Sequence, residues 1–428
     1  MNGRVQPAGP LRDQLHAEVS QRLATAARHG QADDRDSLVL HLVEAVLREH
    51  AMTALAGGNP PIGADLEDQL RRSLLDAFSG LGDLQPLIDD PRVENIDVNG
   101  ELVFVTYADG QRVPVGPVAS SDAELAELLR KVAASRGVQE RRFDPALPRL
   151  FLELPGGHRL TAVMAVTKHV CVSIRRHRLP RLALADLVDL GSLSPAMADL
   201  FAAMVAARCN IVVAGGMDTG KSTLVRALCN VIPPHERILT IEDPYELGLD
   251  TDPAHPDVVA MQPRDPNIEG QGGIDMATLI TWALRMNASR VIVGEVRGAE
   301  VIPLLNAFNL GTDGSMTTIH ASSTRQAFQR IATCAAQAAE RLPFPVTYQL
   351  IGGGVDVVVE LRKTADAGSR VVTGVREVVG ADDTQVRSNE IFRPGPDRRA
   401  VPAARFSDDM VDRLLAVGFD PAVLGGGW

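Results

Sequence analysis

A stretch of nine residues, GGMDTGKST, combines the residue types and the spacing that bind phosphate groups. It begins at Gly215, and Gly220, Lys221 and Ser222 complete the pattern G-x-x-x-x-G-K-[ST]. A buried strand, NIVVAG, precedes it and a helix, KSTLVRALCNV, follows, so backbone N–H groups and a helix N-terminus converge there on an anion. The predicted nucleotide-binding loop consists of Gly215, Gly216, Met217, Asp218, Thr219, Gly220, Lys221, Ser222 and Thr223.

In such a loop the lysine pairs with the β- and γ-phosphates, and the serine hydroxyl joins the shell of a magnesium ion (Mg2+). An acid, Asp218, stands in the middle of it. We favour a solvated carboxylate, tolerated because the backbone holds the phosphates; the alternative is repulsion of the γ-phosphate and a weakened site. We expect Asp218→Gly to raise nucleotide affinity or turnover modestly, because it relieves that repulsion. No change in either quantity would indicate that the Asp218 side chain has no role in the chemistry.

A second segment, RVIVGEVRG, predicts an apolar strand that ends in Glu295. The carboxyl ends of parallel strands meet at the edge of the sheet where the phosphate loop lies, so Glu295 can face the γ-phosphate. A carboxylate there binds Mg2+ through water or orients the attacking water. The alternative is a glutamate that caps the next helix. Ser222 and Glu295 are therefore the predicted metal-binding residues.

Three further groups of residues are candidates for the same chemistry. LTIEDPYEL ends a strand with Glu242 and Glu246, whose charges repel unless a metal or a basic group compensates; a solvated turn is the alternative. His320 ends the strand of GTDGSMTTIHA and is either catalytic or structural. Arg285 and Arg297 flank the strand of the second segment and either stabilise transition-state charge or form ordinary salt bridges. The predicted catalytic residues are Glu295, Lys221, Glu242, Glu246, His320, Arg285 and Arg297.

Hydrophobic patterns divide the chain into the regions that must position these residues. Residues 1–82 have the apolar spacing of packed helices. Residues 83–176 alternate as short strands around one helix, which indicates a small α+β domain. A basic, proline-containing segment, 177–184, is the predicted linker. Residues 185–428 alternate apolar strands with helices, which is typical of a buried parallel sheet covered on both faces, and end in a C-terminal extension.

Composition excludes several classes of protein. The chain has 428 residues, so we expect more than one domain, and its net charge of -11 argues against non-specific nucleic-acid binding. We find no apolar run long enough to span a bilayer and no apolar core of a signal peptide at the start. The four cysteines form no C-x-x-C pair, which indicates buried thiols and neither a zinc site nor a disulfide framework. We therefore expect a soluble cytoplasmic protein that binds no specific nucleic acid.

The phosphate loop and three later segments, in this order, resemble the motifs of the type II/type IV secretion ATPase superfamily. TIEDPYEL is similar to its Asp box, ALRMNASRVIVGEVRGAE to its Walker B region and GTDGSMTTIHA to its His box. PNIEGQGGIDM and VENIDVNG are similar to the CpaF-type ATPases of tight-adherence (Flp) pili. The resemblance implies a RecA-like P-loop NTPase domain with a parallel sheet, preceded by a small α+β N-terminal domain and an N-terminal helical segment.

The same resemblance implies a homohexamer that hydrolyses ATP with Mg2+ at sites between its two domains. Such rings move inner-membrane platform proteins of a pilus or secretion machine, so the chain is expected in the cytoplasm, held at the inner face of the membrane by its partners. Family members close basic residues of the first domain over the nucleotide. The positions that match these are Arg159, Arg175 and Arg176.

The sequence also departs from the family pattern. Met217 and Asp218 stand where the family has small residues, and Thr312 stands where its His box opens with a histidine. A tetracysteine zinc module is absent, which favours the tight-adherence or conjugation branches. The predicted function is an ATPase motor for pilus assembly or protein secretion. The alternatives are a conjugation-type secretion ATPase, a ring that binds ATP as a scaffold without hydrolysing it, and a P-loop polynucleotide kinase.

Overall fold

The computed structural model describes residues 9–28, 35–78, 80–107, 109–135, 142–154, 156–176, 182–264, 266, 270–364 and 369–425. The chain forms two structural units, Met1–Arg178 and Leu179–Trp428. Most of the predicted linker, 177–184, lies outside the described residues, and the predicted domain bounds stay a prediction.

Among the described residues of the first unit, the first three helices pack through their apolar faces. They are α1 (Gly9–Arg28), α2 (Arg35–Ala56) and α3 (Ala64–Phe78). Apolar residues spaced three and four apart lie on one side of each helix, so the helices bury them against one another. The resulting core contains Leu15, Val19, Val39, Val43, Val46, Leu47, Leu70 and Leu74.

The rest of the first unit is an antiparallel sheet accompanied by α4 (Gln85–Asp89) and α5 (Asp122–Ser135). Its strands are β1 (Val93–Asn99), β2 (Leu102–Tyr107), β3 (Arg112–Val115), β4 (Arg149–Leu154), β5 (His158–Val163) and β6 (Cys171–Arg175). They lie in the order β3-β2-β1-β6-β5-β4. Inward-facing residues of alternate strand positions pack against α5 and complete the unit's second core.

The second unit contains a sheet of nine strands. These are β7 (Ile211–Gly215), β8 (Ile238–Ile241), β9 (Val258–Met261), β10 (Arg290–Val296), β11 (Met316–His320), β12 (Val357–Lys363), β13 (Arg370–Ala381), β14 (Val386–Pro394) and β15 (Ala400–Pro402). Their order is β15-β14-β13-β12-β7-β11-β10-β8-β9. The strands from β12 to β9 are parallel, as predicted, whereas β13, β14 and β15 add an antiparallel edge. The sheet is therefore mixed, because short hairpins can join only antiparallel neighbours.

Helices cover both faces of this sheet. They are α6 (Leu184–Asp189), α7 (Pro195–Ala206), α8 (Lys221–Cys229), α9 (Met276–Ala283), α10 (Val301–Asn309), α11 (Thr324–Gln337), α12 (Phe344–Gly354) and α13 (Asp408–Ala416). Alternate residues of β7 enter opposite cores: Ile211 packs with α7, α8 and α13, whereas Val212 packs with α9 to α12. Among the described residues no helix is both long and apolar enough to cross a membrane.

Candidate functional site

The phosphate-loop stretch forms a tight turn between a buried strand and a helix. β7 is buried along its whole length, and α8 begins directly after Gly220. Gly220 has a φ of 92°, a left-handed conformation that glycine adopts without steric cost. A Cβ on Gly215 would lie 2.6 Å from Thr219 Oγ1 and 2.7 Å from the carbonyl oxygen of Leu361. Both glycines of the motif are therefore required by the path of the backbone.

Lys221 lies in the concavity of this loop. Its Nζ donates to the carbonyl oxygen of Gly216 at 2.8 Å, and Thr219 Oγ1 donates to the same oxygen at 3.1 Å. Lys221 is only 8% exposed. The first N–H groups of a helix have no acceptor within the helix, and together with a buried ammonium they suit an anion. The residues present therefore fit the phosphates of a nucleotide.

Ser222 faces a carboxylate from the segment after β8. Its Oγ donates to Glu246 Oε2. Glu242, which is 2% exposed at the end of β8, accepts hydrogen bonds from the N–H groups of Glu246 at 2.7 Å and Leu247 at 2.8 Å. A hydroxyl and a carboxylate are hard oxygen ligands of the kind that Mg2+ takes, so Glu246 is a further candidate beside the predicted metal-binding residues Ser222 and Glu295, which stay a prediction. Glu242 positions the segment that carries Glu246; a catalytic role for either glutamate stays a prediction.

Glu295 lies at the carboxyl end of β10, where two basic side chains hold it. Its Oε1 is 2.6 Å from His320 Nε2, and its Oε2 accepts from Arg297 Nη2 at 2.6 Å and Nε at 2.8 Å. The pairing of β10 with β11 shifts register between Val293 and Val296. An irregularity of this kind changes the direction of the neighbouring side chains, which here lie at the carboxyl end of β10. Of the two predicted roles of Arg297, the structure shows the salt bridge.

His320 connects this acid to the phosphate loop. It ends β11 directly beside Gly215 in the pairing of β11 with β7. Burial lowers the pKa of His320 below its ordinary 6.5, the charge of Lys221 lowers it further, and Glu295 opposes both by raising it. The imidazole is therefore neutral at pH 7, and its Nε2 lies in close contact with Glu295 Oε1.

Asp218 is neutralised by two cations from the hairpin of β12 and β13. Lys363 Nζ is 2.5 Å from Oδ2, and Arg370 Nη2 is 2.9 Å from Oδ1. The carboxylate is also 40% exposed, as expected of a solvated side chain, and its effect on nucleotide affinity stays a prediction. Lys363 and Arg370 were missed by sequence reasoning, because they belong to no motif and lie more than 140 residues beyond the loop.

Arg285 is not brought to Glu295 within the chain. It is exposed in the turn after α9, before β10 begins at Arg290. Glu295 lies near the other end of the same strand, so the two side chains lie at opposite edges of the sheet. A catalytic role for Arg285 stays a prediction.

The three predicted arginines of the first unit differ in their surroundings. Arg159 of β5 lies directly opposite Arg175 of β6. Arg176 Nη1 donates to the carbonyl oxygens of Asp90 at 2.5 Å and Val93 at 3.3 Å, so its guanidinium fastens the α4–β1 turn of its own unit. Their predicted contact with nucleotide stays a prediction.

A mixed sheet with helices on both faces and a phosphate loop between β7 and α8 defines a RecA-like P-loop nucleotide-binding domain. Residues 101–383 match the family described as type II/IV secretion system protein. The chain belongs to the type II/IV secretion ATPase superfamily, and the predicted superfamily and fold class are thereby confirmed.

The chain is similar to several proteins of this family. It is 30% identical to the type IV secretion system protein VirB11 of Brucella suis over 315 residues, which cover 67% of this chain and 85% of that protein. It is 36% identical over 261 residues to a Mycobacterium tuberculosis protein named for conjugal transfer, covering 59% of this chain and 72% of that one. The match to the solved structure of the Legionella pneumophila ATPase DotB has a TM-score of 0.51 at 19% sequence identity. It covers 69% of this chain and 79% of the DotB chain, and at this identity it shows the fold alone.

Proposed function

We propose that this chain is a homohexameric, Mg2+-dependent ATPase motor that drives pilus assembly or protein secretion from the inner face of the cell membrane. One observation carries the hydrolytic part of the proposal: β7, β11 and β10 are neighbours, and their carboxyl ends bring the phosphate loop, His320 and Glu295 to one edge of the sheet. Ligands of open α/β sheets bind at that edge.

The side chains divide the chemistry between them. Lys221 and the loop N–H groups would bind the β- and γ-phosphates, while Ser222 and Glu295 would hold Mg2+ with Glu246 hydrogen-bonded to Ser222. The chemistry that Mg2+ supplies when bound is neutralisation of charge on the phosphate oxygens. Glu295 orients the attacking water, and neutral His320 together with Arg297 keeps its carboxylate in place. Arg159, Arg175 and Arg176 are proposed to contribute positive charge to nucleotide binding.

The test is ATP hydrolysis by the purified full chain. Phosphate release and molar mass are measured with and without Mg2+ and ATP for wild type, Lys221→Ala and Glu295→Gln. Exposed Lys168 and Glu340 supply the matched controls Lys168→Ala and Glu340→Gln. We expect slow turnover in wild type and both controls, its loss in the two site variants, and a mass near six times 45.8 kDa that nucleotide favours.

The same assay separates the alternative functions. Wild-type turnover no higher than that of Glu295→Gln, with ATP still bound, contradicts the motor and supports a scaffold ring. Transfer of labelled phosphate to an oligonucleotide supports a polynucleotide kinase.

Within the family we propose the tight-adherence pilus branch, on the motifs similar to CpaF-type ATPases. The relatives named for conjugal transfer and type IV secretion favour conjugation-type secretion as the second candidate. A deletion strain distinguishes them: loss of surface pili with normal DNA transfer supports the first, and the reverse supports the second. The expected partners are platform proteins of the inner membrane, with membrane association only through them.

A further inference from the structure

The hairpin of β12 and β13 places two like charges against each other beside the phosphate loop. Lys363, the last residue of β12, pairs directly with Arg370, the first of β13. Like charges at directly opposite positions destabilise a sheet unless an anion compensates. Asp218 supplies that anion, since its two carboxylate oxygens contact one cation each.

Arg370 also holds the backbone of the loop. Its Nε donates to the Asp218 carbonyl oxygen at 3.1 Å while Nη2 contacts the carboxylate at 2.9 Å. In a trans peptide the carbonyl and the following N–H point in opposite directions, so this bond turns the N–H of Thr219 away from Arg370. The arginine stem lies against Gly220, where a Cβ would be 3.3 Å from Arg370 Cδ.

The conformation that Arg370 holds is unfavourable for an aspartate. Asp218 has a φ of 56°, a left-handed conformation that costs most residues other than glycine about 1–2 kcal/mol and aspartate less. A planar guanidinium bound to both the carbonyl and the carboxylate of one residue fixes its orientation, which a single ammonium cannot do.

We propose that Arg370 is a positioning residue for the phosphate loop, and that the Asp218 carboxylate competes with nucleotide phosphates for Arg370 and Lys363. This inference rests on the proposed function, because it concerns ATP binding at that same loop. Through its bond to the carbonyl, Arg370 orients a backbone N–H for phosphate; through its own charge, Asp218 withholds two cations from that phosphate.

The two roles predict effects of opposite sign. Arg370→Ala loses the oriented N–H, so the dissociation constant of nucleotide rises by about tenfold, equivalent to about 1.4 kcal/mol. Asp218→Asn keeps the carbonyl bond to Arg370 and releases both cations, so the dissociation constant falls by about two- to fivefold. Asp218→Gly acts in the same direction, since glycine also relieves the left-handed strain. Arg370→Lys keeps the positive charge but cannot bind the carbonyl and the carboxylate at once. Its dissociation constant is expected to lie between those of wild type and Arg370→Ala.

The experiment measures binding of a fluorescent ATP analogue with Mg2+, together with KM, kcat and the melting temperature of each variant. Arg393, exposed on β14 of the same sheet, gives the control Arg393→Ala, which should match wild type. We expect Arg370→Ala to raise KM with kcat within about twofold, because the chemistry at Glu295 is untouched.

Three results overturn the inference. If Asp218→Asn and Arg370→Ala weaken binding equally, the contact is a salt bridge without competition for phosphate. If wild type binds the analogue and Arg370→Ala binds it equally well at an equal melting temperature, Arg370 positions nothing and the proposed function stands. If wild type itself binds no analogue, the proposed function fails and this inference fails with it.

Discussion

Glu242 provides a sharp test of how the site is built, because sequence and structure suggest different roles for it. The sequence places it among the catalytic candidates. In the structure it is 2% exposed, and its Oε2 accepts hydrogen bonds from the N–H groups of Glu246 and Leu247. We therefore expect Glu242 to act by holding the segment that brings Glu246 to Ser222.

The magnitude follows from those two bonds. A hydrogen bond to a charged group contributes about 1.5–3 kcal/mol, so Glu242→Ala, which removes both, should cost about 3–6 kcal/mol of unfolding free energy. Glu242→Gln keeps one acceptor oxygen and loses mainly the charge, and charge roughly doubles the strength of such bonds, so its cost should be about 1.5–3 kcal/mol. Each kcal/mol lowers the melting temperature by about 2–4 °C for a domain of this size.

Thermal unfolding and steady-state hydrolysis of the same preparations measure both effects. We expect Glu242→Gln to keep kcat within about threefold, whereas loss of a general base lowers it by about 10²–10⁴-fold. Glu246→Gln is the matched comparison: it should raise KM for Mg-ATP without the loss of stability. A Glu242→Gln variant with normal melting temperature and a hundredfold lower kcat would refute the positioning role.

Three further predictions concern the same unit. Folding lowers the pKa of His320, so the unfolded state binds more protons than the folded state as the pH falls through 6.5. The stability advantage of wild type over His320→Gln should therefore shrink between about pH 8 and pH 5.5. A constant difference in the free energy of urea unfolding contradicts this. Gly215→Ala should cost about 1–3 kcal/mol and abolish nucleotide binding, since the added Cβ meets a carbonyl oxygen, and unchanged binding by calorimetry would show that the loop tolerates it. Burial raises the pKa of the Cys209 and Cys229 thiols to about 12, so a thiol reagent should label them only after unfolding, and rapid labelling of the native protein would argue against their burial.

Much of the second unit could be predicted because its signals are local. Apolar runs such as that before Gly215 predict buried strands, and the glycines and the lysine that follow predict a loop whose shape depends on near neighbours. The same holds for Glu295 and His320, since an acid or a histidine after an apolar strand of a parallel sheet must lie at its carboxyl edge. The antiparallel strands at the edge of the sheet were harder to predict. Their mixed polar and apolar residues do not distinguish them from a C-terminal extension outside the sheet.

The phosphate loop, the parallel core of the sheet and the edge at which Glu295 and His320 lie follow from residue types at short and regular spacing. The partners of those residues became visible with the three-dimensional arrangement of the strands. Lys363 and Arg370 reach Asp218 from more than 140 residues away, and Arg285 lies at the opposite edge from Glu295. Charge pairs of this kind depend on how distant strands are ordered in the sheet, and no local pattern of residues encodes that order.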